Sequence, residues 1–307
     1  MSTYGKLFLV PAPLDFGCDT AAPLQQVMPQ STLEVAARLG FWVCENARST
    51  RAYLKRVNEL HPLAQTIQTL QIQELPREVH KKGDHGGQFD ARPLLQPALQ
   101  GQDMGLVSEA GMPAIADPGS SVVRAAHDLG VQVVPLTGPM SLMLALASSG
   151  LNGQNFAFVG YLPQDAGERT QRIRELESLA LKTGQTQIFI ETPYRNTALL
   201  GALLQTMNGN TRLALSCGLT LEAAWSRSGW PRRRFQSADD CLRAGVPCRL
   251  RSAWPGAMNG QTAAHPARFQ AGARGSSERW APARVRVPPL PCCRCARRWR
   301  SCPGRLG

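Results

Sequence analysis

The chain has 307 residues and a net charge of +12, long enough for two domains that each bury a core. No apolar run approaches the ~20 residues of a membrane-spanning helix. The start, Met1-Ser2-Thr3-Tyr4-Gly5-Lys6, lacks a signal peptide's basic region and apolar segment. A cytoplasmic location and no membrane partner are therefore expected.

The charge is unevenly placed. Residues 1–224 carry 17 basic against 19 acidic side chains, whereas residues 225–307 carry 17 arginines, no lysine and 3 acids. That tail also holds six of the nine cysteines and five of the six tryptophans, and it shows neither helical nor strand periodicity. Three readings stand for it. A reading-frame shift near Ser226–Gly229 in a GC-rich gene would yield this composition. A basic arm would contact phosphates non-specifically. A zinc site at Cys292-Cys293-Arg294-Cys295 with Cys302 lacks the paired Cys spacing of structural sites, so no metal is expected. Cys18, Cys44 and Cys217 read as reduced, isolated thiols.

In chain order, Lys6–Val10 reads as a strand that ends in Pro11-Ala12-Pro13. Ser31 is expected to cap a helix that Gly40 stops. Phe41–Cys44 is the second strand and runs into Glu45-Asn46-Ala47-Arg48. A basic helix follows over about Ser49–Val57, with Arg51, Lys55 and Arg56 exposed. Leu70–Leu75 is a third strand. Glu78–Gln88, with His80, Lys81, Lys82, Asp84 and His85 among three glycines, reads as a mobile loop, either a lid or a solvated connection. Asp90 caps a helix through about Leu99.

Met104–Val107 is the central strand. It leads into Ser108-Glu109-Ala110-Gly111-Met112-Pro113-Ala114-Ile115-Ala116-Asp117-Pro118-Gly119, where small residues and prolines delay the next helix to about Gly119. Such a turn lets backbone groups approach a ligand at the carboxyl end of a parallel sheet. Val131–Leu136 is another strand, ending in Thr137-Gly138-Pro139, and Met140–Ser149 is an apolar helix. The alternation argues a parallel sheet covered on both faces.

The rhythm restarts beyond Gly153 with strands at Phe156–Val159, Gln187–Glu191 and Arg212–Cys217 and helices over Glu168–Leu181 and Thr197–Met207. Three strands make a poor sheet, so at least one more is expected, yet the tail offers no good candidate. The expected organisation is an N-terminal α/β domain over 1–152, an incomplete α/β domain over 153–228, and the Arg-, Pro-, Cys- and Trp-rich tail over 229–307.

Six stretches occur in an order that resembles the tetrapyrrole methylase superfamily, and within it the bacterial ribosomal RNA small-subunit 2′-O-methyltransferases. They are Leu7-Phe8-Leu9-Val10-Pro11-Ala12-Pro13, Glu45-Asn46-Ala47-Arg48, Ser108–Pro113 with Asp117-Pro118-Gly119, Pro135-Leu136-Thr137-Gly138-Pro139-Met140-Ser141, Gly160-Tyr161-Leu162-Pro163 and Glu191-Thr192-Pro193-Tyr194-Arg195. The resemblance covers about residues 5–228. It implies a two-domain α/β fold, with a parallel-sheet N-terminal and a mixed-sheet C-terminal domain, usually a homodimer. It also implies S-adenosylmethionine as methyl donor, held by Pro11, by Ser108, Glu109, Ala110, Gly111, Met112 and Pro113, and by Gly138, Pro139 and Ser141.

The acceptor implied is RNA, with Arg48, Tyr194 and Arg195 as candidate substrate contacts. Glu109, Glu45 and Glu191 all follow strands on the expected cleft side, and Glu109 ranks first as the base for a ribose hydroxyl. Each carboxylate has an alternative role as a helix cap or as a partner of Arg48 or Arg195. The chain departs from the rRNA enzymes at Leu14-Asp15-Phe16 (Ile-Gly-Asn there), Asn46 and Glu109 (Asp) and Met112 (Thr), departures that bear on the acceptor more than on the donor. A dinucleotide-dependent oxidoreductase is disfavoured because no Gly-x-Gly-x-x-Gly follows the first strand. A non-catalytic donor-binding protein, or the inactive product of a shifted gene, is the other reading.

Overall fold

The computed structural model describes residues 4–230, except Phe16, Asp19, Arg77, residues 80–83 and residues 85–88, together with the backbone of residues 260–266. The first sheet is built from β1 (Lys6–Leu9), β2 (Phe41–Cys44), β3 (Gln71–Glu74), β4 (Met104–Val107) and β5 (Gln132–Pro135). All its pairings are parallel and the strand order is β3-β2-β4-β1-β5. The central strand β4 is buried along its whole length, as a parallel strand covered on both faces must be.

Helices α1 (Leu24–Val27), α2 (Gln30–Arg38) and α3 (Ala47–Leu60) lie on one face, where Leu24, Leu33, Leu54 and Val57 join Phe8, Val10 and Trp42. A short 3-10 turn (Arg92–Leu95), α4 (Gln96–Leu99) and α5 (Ser120–Asp128) cover the other, where Leu95, Val122 and Ala125 join Leu7, Val43 and Leu106. Strand order and handedness together set the ligand crevice. The chain leaves β1 toward β2 over the first face and leaves β4 toward β5 over the second, although β1 and β4 are neighbours. The carboxyl ends of β1 and β4 thus flank the point where the winding reverses, the place where open parallel sheets bind ligands.

The second sheet contains β6 (Phe156–Tyr161), β7 (Thr186–Glu191), β8 (Thr211–Cys217), β9 (Trp225–Gly229) and β10 (Gly260–Pro266), ordered β6-β7-β10-β8-β9. β6 and β7 are parallel, and the remaining pairings are antiparallel. α7 (Ala166–Thr183) and α8 (Asn196–Thr206) cover one face through Ile173, Leu176, Leu199 and Leu203. α6 (Ser141–Ser149) covers the other, its Leu142 and Leu146 meeting Ile188, Ile190 and Ala214.

Several expectations are corrected. The tail supplies a strand after all: β10 runs between β7 and β8, with Ala263 opposite both Ile188 and Ala214. Its sequence, Gly-Gln-Thr-Ala-Ala-His-Pro, has little of the β-branched and aromatic content that marks strands. Ser31 is not a cap, since α2 begins at Gln30 after Pro29. Arg56 is not a free surface charge. Its guanidinium makes two 3.0 Å hydrogen bonds to the Asp15 carboxylate and one of 2.7 Å to the Ala22 carbonyl, which fixes the loop after β1. Asp84, in the stretch read as a mobile loop, is buried and accepts hydrogen bonds from the Gly119 and Ser121 N–H groups and the Ser120 and Ser121 hydroxyls at 2.6–2.9 Å. It caps α5 from a distant part of the chain. His80, Lys81, Lys82, His85 and the cysteine cluster at 292–302 lie outside the described residues.

Candidate active site

Three strand-end turns close around the β1–β4 crevice. Ala12 and Gly111 exchange backbone hydrogen bonds of 2.8 and 2.9 Å, clasping the turn after β1 to the turn after β4. Gly111 adopts φ +72°, a conformation costly to other residues. The third turn joins through Gly138, where a Cβ would sit 2.5 Å from the Pro11 ring. The Thr32 hydroxyl donates to the Thr137 carbonyl at 2.7 Å, tying that turn to α2. In the β4 turn Ala114 and Ala116 both hold φ 65°, strain of the kind that collects at ligand sites. Pro11, Ser108, Glu109, Ala110, Gly111, Met112, Pro113, Gly138 and Pro139 therefore belong to one clasped set of turns, and Ser141 follows the third turn as the first residue of α6.

Carboxylates crowd the same place. The Glu109 N–H donates to Glu45 Oε2 at 3.3 Å, linking the ends of β4 and β2. Burial, with Glu45 and then Glu74 adding negative charge, pushes the Glu109 carboxyl up to about 7, while the Ser49 hydroxyl works against the rise. Asp117 is pushed up to about 8 by burial and by the charges of Glu45 and Glu109, with the Ser108 hydroxyl opposing. Glu74 has a second task, accepting the Ala47 N–H at 2.6 Å. Asn46 caps α3, its Oδ1 accepting from the N–H groups of Arg48 and Ser49 at 2.9 and 3.2 Å. The Ser108 hydroxyl (residue 5% exposed) and Glu109 Oε1 are buried without a hydrogen-bond partner among the described residues.

The second sheet presents its own groups. Burial and the charges of Asp117, Glu191, Tyr194 and Glu45 raise the Tyr161 phenol far above its usual range, so this residue at the end of β6 lies in the field of both sheets. Glu191 is 2% exposed and forms a 2.9 Å ion pair with Arg195, which also donates to the Leu162 carbonyl at 3.1 Å. Glu191 Oε1 accepts the Thr192 N–H at 2.8 Å. Tyr194 is 76% exposed, and Arg48 is exposed on the first turn of α3.

The structure thus brings Glu45 and Glu109 together and sets Glu191 and Arg195 against each other. It adds two residues that sequence reasoning left without a role, Asp117 and Tyr161. Both stand inside stretches that carry the family resemblance, and their place after strands was the signal available. Among the described residues no group of His, Cys, Asp and Glu has the arrangement of a metal site, and no helix is long and apolar enough to cross a membrane.

Two parallel-sheet turns clasped at a winding reversal, facing a mixed second sheet, define the two-sheet α/β fold of the tetrapyrrole methylases. The solved structure of the methyltransferase CobJ superposes with a TM-score of 0.50 at 13% identity, over 86% of this chain and 95% of its own. No family model matches the chain. Its sequence is 33% identical to ribosomal RNA small subunit methyltransferase I of Mesorhizobium japonicum over 64% of this chain and 60% of that protein. It is 30% identical to the protein of that name from Vibrio cholerae, over 70% of this chain and 65% of the relative. With the one from Xylella fastidiosa it shares 31% identity over 70% of this chain and 68% of the relative. The chain belongs to the ribosomal RNA small subunit methyltransferase I family, and its match spans 60 to 65% of the length of the first two of these relatives.

Proposed function

We infer that this chain is an S-adenosylmethionine-dependent methyltransferase that methylates a ribose 2′-hydroxyl of small-subunit ribosomal RNA. The observation that carries the reading is the clasped set of three turns at the winding reversal, with a buried hydroxyl and a buried carboxylate oxygen left unpartnered inside it. Those groups suit a ligand rich in amino and hydroxyl donors, and the residues present fit the donor. Pro11, Ser108–Pro113, Gly138, Pro139 and Ser141 would hold it, largely through backbone groups. When bound, the donor supplies an electrophilic methyl group on a sulfonium.

Catalysis then rests on alignment and on removal of one proton. Glu109 is the leading base, because it reaches the clasped turns and its carboxyl ionises close to neutrality. Glu45 orients it through the Glu109 N–H. Glu191, locked to Arg195, shapes the second wall of the cleft instead. On the acceptor side, Arg48, Arg51 and Lys55 stand exposed along α3 at spacings of three and four residues. That is one basic stripe beginning at the cleft, suited to RNA phosphates. Exposed Tyr194 offers a stacking face.

The chain would act as a homodimer. Phe156 and Phe158 on edge strand β6 are left exposed, which supports a partner surface. Functionally, residues 1–152 would carry the donor turns and residues 153–228, with β10, the opposing wall.

The test is transfer of a labelled methyl group from S-adenosylmethionine to small-subunit ribosomal RNA, followed by alkaline hydrolysis. A 2′-O-methyl product yields a labelled dinucleotide that survives alkali. Label in an alkali-labile mononucleotide, or no label in RNA, would overturn the assignment of the acceptor.

A further inference from the structure

The turn after β4, Ser108–Gly119, is fastened at both ends. Near its start, the paired hydrogen bonds between Gly111 and Ala12 tie it to the turn after β1. Its far end is held by Asp84, which is buried and 35 residues distant in sequence. Asp84 Oδ2 accepts the Gly119 N–H at 2.9 Å, the Ser121 N–H at 2.8 Å and the Ser121 hydroxyl at 2.7 Å. Oδ1 accepts the Ser120 hydroxyl at 2.6 Å. The Asp84 carbonyl takes a 3.0 Å hydrogen bond from the Arg124 guanidinium, so the anchor is itself gripped through its backbone. A cap normally comes from the residue before the helix; here that residue is Gly119, which has no side chain to offer.

Between the two fastenings the turn is strained. Ala114 and Ala116 both hold φ 65°, a conformation that costs residues with a Cβ and persists only where the surroundings over-determine it. The Ala114 N–H lies 3.3 Å from the Pro118 carbonyl, long for a backbone hydrogen bond, so the turn does little to hold its own shape. Gly119 sits at φ +133°, and a Cβ there would lie 3.0 Å from Leu106 Cδ2 and 3.3 Å from the Ala114 nitrogen. Its backbone is therefore packed against both β4 and the strained stretch, and Asp84 holds it there.

We propose that Asp84 is a positioning residue for the methyl donor: by holding Gly119 it keeps the strained turn in the shape that receives the ligand, a role beyond capping α5. This rests on the donor-binding reading above. Without the side chain, Gly119 is free to leave Leu106, and Ala114 and Ala116 relax toward negative φ. Ser108–Pro113 then lose the backbone placement on which a site poor in side chains depends. The fraction of molecules with a competent turn falls, and the apparent affinity for the donor falls in proportion. Asn can keep much of the anchor. Its amide oxygen takes the Gly119 and Ser121 N–H groups, and its NH2 meets Ser120 Oγ, which accepts as well as donates. Ala keeps none of these bonds.

Calorimetric titration of the full chain with S-adenosylmethionine, together with amide hydrogen exchange of the chain without ligand, tests this well below the unfolding temperature. Asp84→Ala should bind the donor at least ~10-fold more weakly, and Asp84→Asn should stay within ~3-fold of the parent. In Asp84→Ala, exchange at the Gly111 and Ala114 N–H groups, neither of which is bonded to Asp84, should quicken by a similar factor. The slow amides of β4 report that each variant is folded. Ala125→Gly is the control. It loosens α5 from its middle, a buried position packed on the first sheet, at the ordinary cost of a helical glycine. Its donor affinity and both exchange rates should stay within ~2-fold of the parent. Unchanged donor affinity or unchanged exchange in Asp84→Ala, or an equal loss of affinity in Ala125→Gly, would overturn the proposal and leave the donor site standing. Failure of the parent chain to bind S-adenosylmethionine would overturn the donor-binding reading, and this role with it.

Discussion

Replacing Asp117 by Asn should stabilise the protein, and the gain should grow with pH. In the fold Asp117 is pushed up to about 8, by burial first and then by Glu45 and Glu109, from an ordinary value of 3.8. The folded state therefore holds a proton that the unfolded chain releases. The sign follows: this group's contribution is full below about pH 4 and is lost as pH rises through about 8. Each pH unit in that window costs ~1.4 kcal/mol. From pH 5 to pH 8 the loss is thus ~4 kcal/mol without screening, and about half that for a group partly open to solvent. Asn keeps the shape and removes the titration. Urea unfolding at pH 5 and pH 8 should show the stability difference between variant and parent rising by ~2 kcal/mol. At pH 8 the corresponding midpoint shift is an upward one of ~4–8 °C. A gain that is equal at both pH values, or a loss at pH 8, would refute the crowding of Asp117 by Glu45 and Glu109.

Other substitutions probe the supports of the site. Arg56→Ala strands the buried Asp15 carboxylate and should cost about 3 kcal/mol in urea unfolding. Gly138→Ala drives a Cβ into the Pro11 ring, 2.5 Å away, and should weaken donor binding at least ~10-fold by calorimetry while costing about 1–3 kcal/mol of stability. Asp84→Asn tests the distant cap of α5. For Asp84, burial alone would raise the carboxyl, but the hydrogen bonds from Ser120, Ser121 and Gly119 outweigh it and hold it below 3.8. Its stabilisation is present above about pH 4 and lost as pH falls through the folded value, so the variant should lose ~1 kcal/mol at pH 7 and much less at pH 2. An equal loss at both pH values would contradict the charged cap.

The strands of the first sheet and the three turns were legible because each is a short apolar run stopped by Pro, Gly or small residues, as at Leu106–Pro113. What escaped the sequence depended on partners distant in the chain. Arg56 lies on the polar side of a helix, and only the loop after β1 brings Asp15 to it, 41 residues away. Asp84 sits among glycines and lysines, and its burial comes from α5. Asp117 and Tyr161 stood in quoted motifs, yet their electrostatic coupling arises only when the ends of β4 and β6 share one field. β9 and β10 failed on composition: Trp-Ser-Arg-Ser-Gly and Gly-Gln-Thr-Ala-Ala-His-Pro lack the alternation that signals a half-buried strand, and ladder hydrogen bonds to β8 and β7 are what hold them in register.

If the clasped turns form a working donor site, S-adenosylmethionine stabilises the folded chain, and thermal unfolding of the full chain with and without saturating donor reads that gain. A ligand present at a hundred times its Kd that binds only the folded state adds ~2.7 kcal/mol. A single cooperative transition should therefore move upward by ~5–11 °C, and the shift should shrink in Gly138→Ala. A cooperative transition that stays in place at saturating donor would show that the clasped turns bind no donor.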